Sequence, residues 1–324
     1  MNAYRETPTR RIDVHHHFFP ADLLKETSNQ NIGWKTPAGT LPWSPNASLK
    51  AMDASGIDIA ILSMPALYKG SVCEENRAMA RQRNLHMSQI ATDHPGRFGF
   101  FACLPFLDDI EGALEEMSYA FDVLHADGVS MSSSYGDGPA MTYVGDDRYD
   151  PIWAELHRRQ AVVFLHGAQI TSSTPIPHPL LCIPISEVPN ETFKAAAHLV
   201  VTGRKRKYPD VKIILAHLGG TTPLLAPRVA VLSNHMGCTL TPEEIMEDFK
   251  DFYYETALSA YGASLTAMDE FVQLDHILFG TDFPAVSQGM ADWFTRHIEE
   301  HYLNEPKKLS MVMSGNSSQS KAWH

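Results

Sequence analysis

Three consecutive histidines, His15-His16-His17, close a short stretch, Ile12-Asp13-Val14, that reads as a β-strand. Side chains alternate along a strand, so His15 and His17 project together and His16 projects away. Two imidazoles on one face, about 7 Å apart along the strand, can converge on a single metal ion. A tag remnant is excluded, because three histidines are too few and Arg11-Ile12-Asp13-Val14 is not tag-like. By itself the triplet leaves metal binding and a chance histidine-rich segment equally open.

Three residues further along have the same chemistry. His166 ends the run Phe164-Leu165-His166, His217 ends Ile214-Leu215-Ala216-His217 ahead of Leu218-Gly219-Gly220, and Asp282 ends Leu278-Phe279-Gly280-Thr281-Asp282. A polar group that closes a largely apolar strand costs free energy unless it has a partner. Each one singly has a plain reading, a satisfied core histidine or a helix-capping aspartate. Together with His15 and His17, they point to a metal centre assembled from the ends of several strands.

The elements that must position these residues repeat one pattern, a short apolar run followed by a segment of helical period. Strands are expected at 12–17, 57–63, 98–104, 128–132, 161–166, 211–217, 252–257 and 276–282, most of them apolar on both faces, as buried parallel strands are. Helices are expected at 48–54, 74–92, 110–126, 151–160, 191–203 and 264–273, with Asp150 capping ahead of Pro151 and Asn190 capping the next helix. Eight strands alternating with helices predict an α/β fold of the (β/α)8, TIM-barrel type, with the metal site at its C-terminal face. The competing open doubly wound sheet would carry a Gly-rich nucleotide fingerprint after its first strand, and none occurs. With no low-complexity linker, residues 1–324 read as one domain. Two long loops, 18–45 and 167–189, follow strands and are candidate lids; the prolines 175, 177, 179, 184 and 189 rule out a regular helix in the second on this reading.

Composition narrows the function classes. Apolar residues make up 44% and charged residues 20% of the 324, an ordinary globular balance with ample core. A net charge of −12 argues against nucleic acid or an anionic membrane as partner. The one basic run, Arg204-Lys205-Arg206-Lys207, is read as a solvated helix terminus. Cys73, Cys103, Cys182 and Cys238 follow no zinc or redox spacing and read as reduced thiols of a cytoplasmic protein. No run is apolar enough for a membrane span, and residues 1–10 are too polar for a signal peptide.

As an ordered set, His15-His16-His17, His166, His217-Leu218-Gly219-Gly220 and Gly280-Thr281-Asp282 resemble the amidohydrolase superfamily, and more closely its aminocarboxymuconate-semialdehyde decarboxylase-like branch. The resemblance runs over nearly the whole chain and includes Met52-Asp53-Ala54-Ser55-Gly56-Ile57-Asp58, Pro95-Gly96-Arg97-Phe98 and Gly315-Asn316. It implies that His15, His17, His166 and Asp282 hold one metal ion and that His217 is the catalytic acid/base. Binuclear relatives use a carboxylated lysine on the fourth strand. Gly128-Val129-Ser130-Met131-Ser132 has none, so a mononuclear site is implied, suited to Zn²⁺ with Mn²⁺ as the alternative and no organic cofactor.

The branch contains both C–C lyases and hydrolases. The chain is most similar to the fungal 6-methylsalicylate decarboxylase type, with γ-resorcylate and 2,3-dihydroxybenzoate decarboxylases as relatives, which implies loss of CO2 from an ortho-hydroxylated aromatic acid. The ortho-hydroxyl lets the ring carbon that bears the carboxylate take up a proton, and the ring recovers its aromaticity as CO2 leaves. The metal would hold the phenolate and carboxylate oxygens, Asp282 would protonate the ring, and His217 would relay protons or orient the carboxylate. Arg228 resembles a substrate-carboxylate arginine of the family, supplied in some members across a dimer interface, so a homodimer or higher oligomer is implied; a surface helix arginine is the competing reading. Phe18, Trp34, Trp43 and Phe283 could stack on the ring, though large aromatics also serve as core. Glu255 could pair with His217, or form an ordinary buried salt bridge. A hydrolase of a lactone or amide is the second expectation, and a metal-binding barrel without turnover the third.

Overall fold

Strands that are apolar on both faces must be covered on both, and eight of them here line up in sequence order as one parallel sheet. They are β1 (Ile12–His17), β2 (Ile59–Ser63), β3 (Phe98–Cys103), β4 (Gly128–Ser132), β5 (Val162–His166), β6 (Lys212–Leu215), β7 (Tyr253–Glu255) and β8 (Ile277–Leu278). The structure is a computed structural model that describes residues 10–20, 23, 32–64, 72–136, 138–169 and 177–318. Pro175 and parts of both expected lids lie outside these residues.

The sheet closes on itself. Val14 N donates to Phe279 O at 3.0 Å, Asp282 N to His15 O at 2.8 Å, and His17 N to Phe283 O at 2.7 Å, which joins β1 to the segment after β8. Helices surround the sheet, as expected of a (β/α)8 barrel. They are α1 (Pro45–Ser55), α2 (Glu74–Asp93), α3 (Ile110–Asp122), α4 (Asp150–Arg158), α5 (Ile183–Val201), α6 (Thr222–His235), α7 (Pro242–Lys250), α8 (Gly262–Phe271) and α9 (Gln288–His301). No described helix is long and apolar enough to cross a membrane.

Inside the barrel, Ile12, Val14, Ile61, Phe101, Phe164 and Ile214 form a closed cluster, while the other strand faces pack against the helices. Strict alternation from Ile12 and Val14 would send His16 inward. The β1–β2 register instead shifts between Asp13 and His16, where three residues of β1 span two of β2. This bulge turns Val14 and His15 to the same side, so His15 and His17 enter the barrel mouth and His16 leaves it.

Several expectations from the sequence need correcting. β6, β7 and β8 are shorter than 211–217, 252–257 and 276–282, because the chain leaves the ladder just before its site residues. The expected helix 191–203 begins earlier, at Ile183, in spite of its prolines. Pro184 lies in the first turn, where an N–H has no helical partner to lose, and Pro189 forfeits one bond. Asn190 is therefore inside α5 and does not cap it. Asp150 is the first helical residue of α4, and its carboxylate pairs with Lys207 at 2.5 Å and Arg204 at 3.2 Å. The basic run is no solvated terminus: Arg204 and Lys205 are buried, Lys205 pairs with Asp251, and Arg206 pairs with Asp248 at 3.1 Å.

The start of α5 rests directly on the loops after β5 and β6. A Cβ on Gly167 would lie 2.0 Å from Val188 O, and one on Gly220, at φ +62, 2.1 Å from Pro189 O. Only glycine lets the helix backbone approach this closely. Gly167→Ala is expected to cost about 1–3 kcal/mol through this overpacking. Gly289→Ala, with nothing within 4 Å of the new methyl, should be neutral or stabilising by roughly 0.4–1 kcal/mol. Urea denaturation of the two variants checks the pair; equal effects would contradict the packing argument.

Candidate metal centre and substrate cavity

The bulge in β1 brings His15 Nε2 and His17 Nε2 within 3.1 Å of each other. Asp282 Oδ1 lies 3.3 Å from the first and 2.9 Å from the second, buried and without a hydrogen bond. His166 and His217 complete the cluster, their ring centres 5.2 Å apart and each within 5.2 Å of His15. Potential donor atoms of His15, His17 and Asp282, and likewise of His15, His166 and His217, lie within 4.8 Å of one another.

The imidazoles are held from behind. His15 Nδ1 meets Glu255 Oε1 at 2.8 Å, His166 Nδ1 meets Gly167 O at 2.9 Å, His217 Nδ1 meets Ala257 O at 3.0 Å, and His17 Nδ1 lies 3.4 Å from Ser63 O. Oxygen acceptors at every Nδ1 favour the Nδ1–H tautomer and leave the Nε2 lone pairs for the centre. Two Nε2 atoms 3.1 Å apart beside a buried carboxylate oxygen need a proton or a metal cation among them. Donors around an ion bonded at about 2.0–2.2 Å sit roughly 3 Å apart, so the residues fit a divalent metal.

Titration behaviour reflects the same crowding. Burial is the largest influence on His15 and opposes its charge, yet the Glu255 and Asp282 carboxylates together outweigh it and push the imidazole up to about 10. Burial likewise opposes ionisation of Asp282, but His15 and His17 hold its carboxyl well below the usual range. Burial and the neighbouring histidines push His166 well below its ordinary value.

The loops that deliver these groups are strained. His217, Leu218 and Asp282 have φ of 59°, 52° and 63°, and Leu258 on the cavity wall has 53°. Such left-handed conformations in non-glycine residues cost of order 1 kcal/mol each and cluster where side chains must be aimed. Asp13 stabilises one of these loops. It accepts from Thr281 N at 3.0 Å, Thr281 Oγ1 at 2.6 Å, His15 N at 3.1 Å and His16 Nδ1 at 3.0 Å. The sequence reading passed over Asp13, although a carboxylate within an apolar strand two residues before His15 was the available signal.

Glu255 does not pair with the His217 ring. It binds the His15 ring, and through its two oxygens it accepts the His217 and Ala257 backbone N–H groups at 2.5 and 2.7 Å. His16 contacts Ser48 Oγ at 2.8 Å, outside the barrel. The cluster opens onto a cavity of about 570 Å³. Phe18 and Trp34 line it, Trp34 held by a 3.0 Å bond to Ala285 O. Trp43 packs against Phe18, and Phe283 against His16, both away from the cavity wall. Arg228 is exposed on α6 and does not line the cavity of its own chain. Phe19, Phe294 and Arg83 do line it and were not singled out from the sequence. Arg83 lies in an arginine-rich helix, where nothing distinguishes it by type or spacing.

A family profile described as Amidohydrolase matches residues 12–317. The chain belongs to the amidohydrolase family. It is 38% identical over 306 residues to the decarboxylase yanB of Aspergillus niger, covering 89% of this chain and 81% of that protein. It is 36% identical to a 6-methylsalicylic acid decarboxylase of Penicillium expansum, covering 92% of each. Among solved structures, a dihydroxybenzoic acid decarboxylase from a Polaromonas species, with bound manganese and the inhibitor 2-nitroresorcinol, superposes with a TM-score of 0.81 at 24% identity over 96% of both chains.

The His15 proton gives this amidohydrolase centre a pH signature. Because metal must displace a proton held up to a pKa of about 10, apparent metal affinity should rise with pH, by about tenfold per unit between pH 7 and 8. Competition against a chelator of known pH dependence measures this; a flat profile would show that no such proton is displaced.

Proposed function

We propose that this chain is a divalent-metal-dependent, non-oxidative decarboxylase of ortho-hydroxylated aromatic acids that converts 6-methylsalicylate to 3-methylphenol and CO2. The observation that carries this reading is the buried His/Asp cluster at the mouth of the cavity, in a chain matched along nearly its whole length by decarboxylases of aromatic acids. The named decarboxylases among its relatives favour this reading over a hydrolase of the same centre. In this reading residues 1–324 form one catalytic domain, working in the cytosol, where its free cysteines would stay reduced.

His15, His17, His166 and Asp282 are assigned as metal ligands. Three imidazoles and one carboxylate suit Zn²⁺, with Mn²⁺, the ion named for the Polaromonas structure, as the competitor. When bound, the ion would supply a Lewis acid that lowers the phenol pKa. Asp282, ionised in this environment, takes the hydroxyl proton and delivers it to the ring carbon bearing the carboxylate. The C–C bonding pair then returns to the ring as CO2 leaves. His217, its Nδ1 anchored on Ala257 O, keeps Nε2 free to return a proton to the phenolate oxygen. One proton is consumed per turnover. Phe18 and Trp34 pack on the ring, and Glu255 orients His15.

The chain is further assigned as a homodimer. Helix α6 exposes Leu224, Val231 and Leu232 beside Arg228, with Met236 just past its end, an apolar strip suited to a second copy that would receive this arginine.

Incubation of the metal-loaded protein with 6-methylsalicylate should release CO2 and 3-methylphenol in equal amounts, detected by mass spectrometry. Hydrolysis of a lactone panel without CO2 release would overturn the reading. His15→Ala should lose bound metal and activity together. His217→Ala should keep its metal and lose turnover by about 10² or more; undiminished turnover there would remove His217 from the reaction.

A further inference from the structure

One charged side chain on the cavity wall takes no part in the metal cluster. Arg83 on α2 is only 7% exposed, and its Nε and Nη1 have no hydrogen-bond partner. Among the described residues no carboxylate pairs with it. Its helix neighbours differ: Arg77 is bidentate to Asp109 at 2.6 and 2.7 Å, and Arg81 meets Glu116 at 2.7 Å. The backbone beneath Arg83 is fixed, because Asn84 brackets Cys103 with two 2.8 Å bonds. Ser132, at the end of β4, lines the same cavity, and its buried Oγ is also without a partner.

A buried guanidinium with no counter-charge is costly, and its planar fork of N–H donors matches a carboxylate. Apart from histidines, Arg83 is the one basic residue among the described residues lining the cavity, and Asp282, the one acid, is engaged by His15 and His17. Since no described residue supplies that counter-charge, the geometry favours a ligand that brings it. We propose that Arg83, assisted by the Ser132 hydroxyl, is the subsite that binds the carboxylate of the aromatic acid. This rests on the decarboxylase reading for its substrate class but not for its geometry. The ion pair that selects the acid disappears with CO2, so the neutral phenol is held less tightly than the acid.

The test uses two non-reactive probes, 2-methylbenzoate and its neutral analogue 2-methylbenzamide. Both are titrated into metal-loaded protein and followed by tryptophan fluorescence, with Trp34 on the cavity wall. Arg83→Met should weaken 2-methylbenzoate by about 30-fold or more and 2-methylbenzamide by less than about threefold, at unchanged metal content. KM for 6-methylsalicylate should rise in parallel, with kcat less affected, and Arg83→Lys should recover part of the loss. Ser132→Ala should weaken the acid by about three- to tenfold, and with Arg83→Lys it decides the matter if Arg83→Met does not fold. Equal losses of both probes, or acid binding within threefold of wild type in Arg83→Met, would overturn the proposal. A wild-type protein that binds 2-methylbenzoate through Arg83 but releases no CO2 from salicylates would support the subsite while the decarboxylase reading fell. Turnover of 6-methylsalicylate with unaltered acid affinity in Arg83→Met would do the reverse.

Discussion

A single buried carboxylate, Glu255 at the end of β7, organises the mouth of this barrel. Its oxygens bind the His15 ring, the His217 backbone N–H and the Ala257 N–H. It also fills the space beside Gly280, where a Cβ would fall 2.2 Å from Oε2. Groups from β1, from the loop after β6 and from the run leading to Asp282 thus share one anchor. Leaving such a group unsatisfied inside a barrel is expensive, so its neighbours are confined to the positions that complete its bonds.

Asp13 has the complementary task at the seam where the barrel closes. It joins β1 to Thr281 and thereby fixes the residue before Asp282. The left-handed backbone at His217, Leu218 and Asp282 is the cost of turning these side chains toward one point. The anchors at Glu255 and Asp13 supply the favourable bonds that offset it. Strain and support are therefore adjacent, within one or two residues of the groups they aim.

Much of this was legible in the sequence because strand-end residues advertise themselves. His166, His217 and Asp282 each interrupt an apolar run, and a barrel gathers such interruptions on one face. Less legible was the local geometry. Alternation placed His15 and His17 together, but the reversal of face relative to Ile12 and Val14 depends on a bulge that no residue type announces. Pro184 and Pro189 suggested a loop, whereas the first turn tolerates one proline and the packed helix tolerates the other. Arg228 resembles a binding arginine of the family and lies exposed on α6, while Arg83, which nothing in the sequence sets apart, lies inside. Long-range contact decides which arginine is buried, and composition is silent on it.

The seating of α5 on Gly167 and Gly220 makes the two sides of the cavity unequal. One wall is backbone against backbone, tied to the very loops that begin at His166 and His217. Met290 and Phe294 of α9 line another wall, and Met290 is partly open to solvent. Inherited change in the shape of the accepted ring can therefore accumulate on α9 by simple exchange of side chains. The α5 backbone cannot drift without carrying the loop of His217 with it, so change on that side is confined to exchangeable side chains such as Ile185.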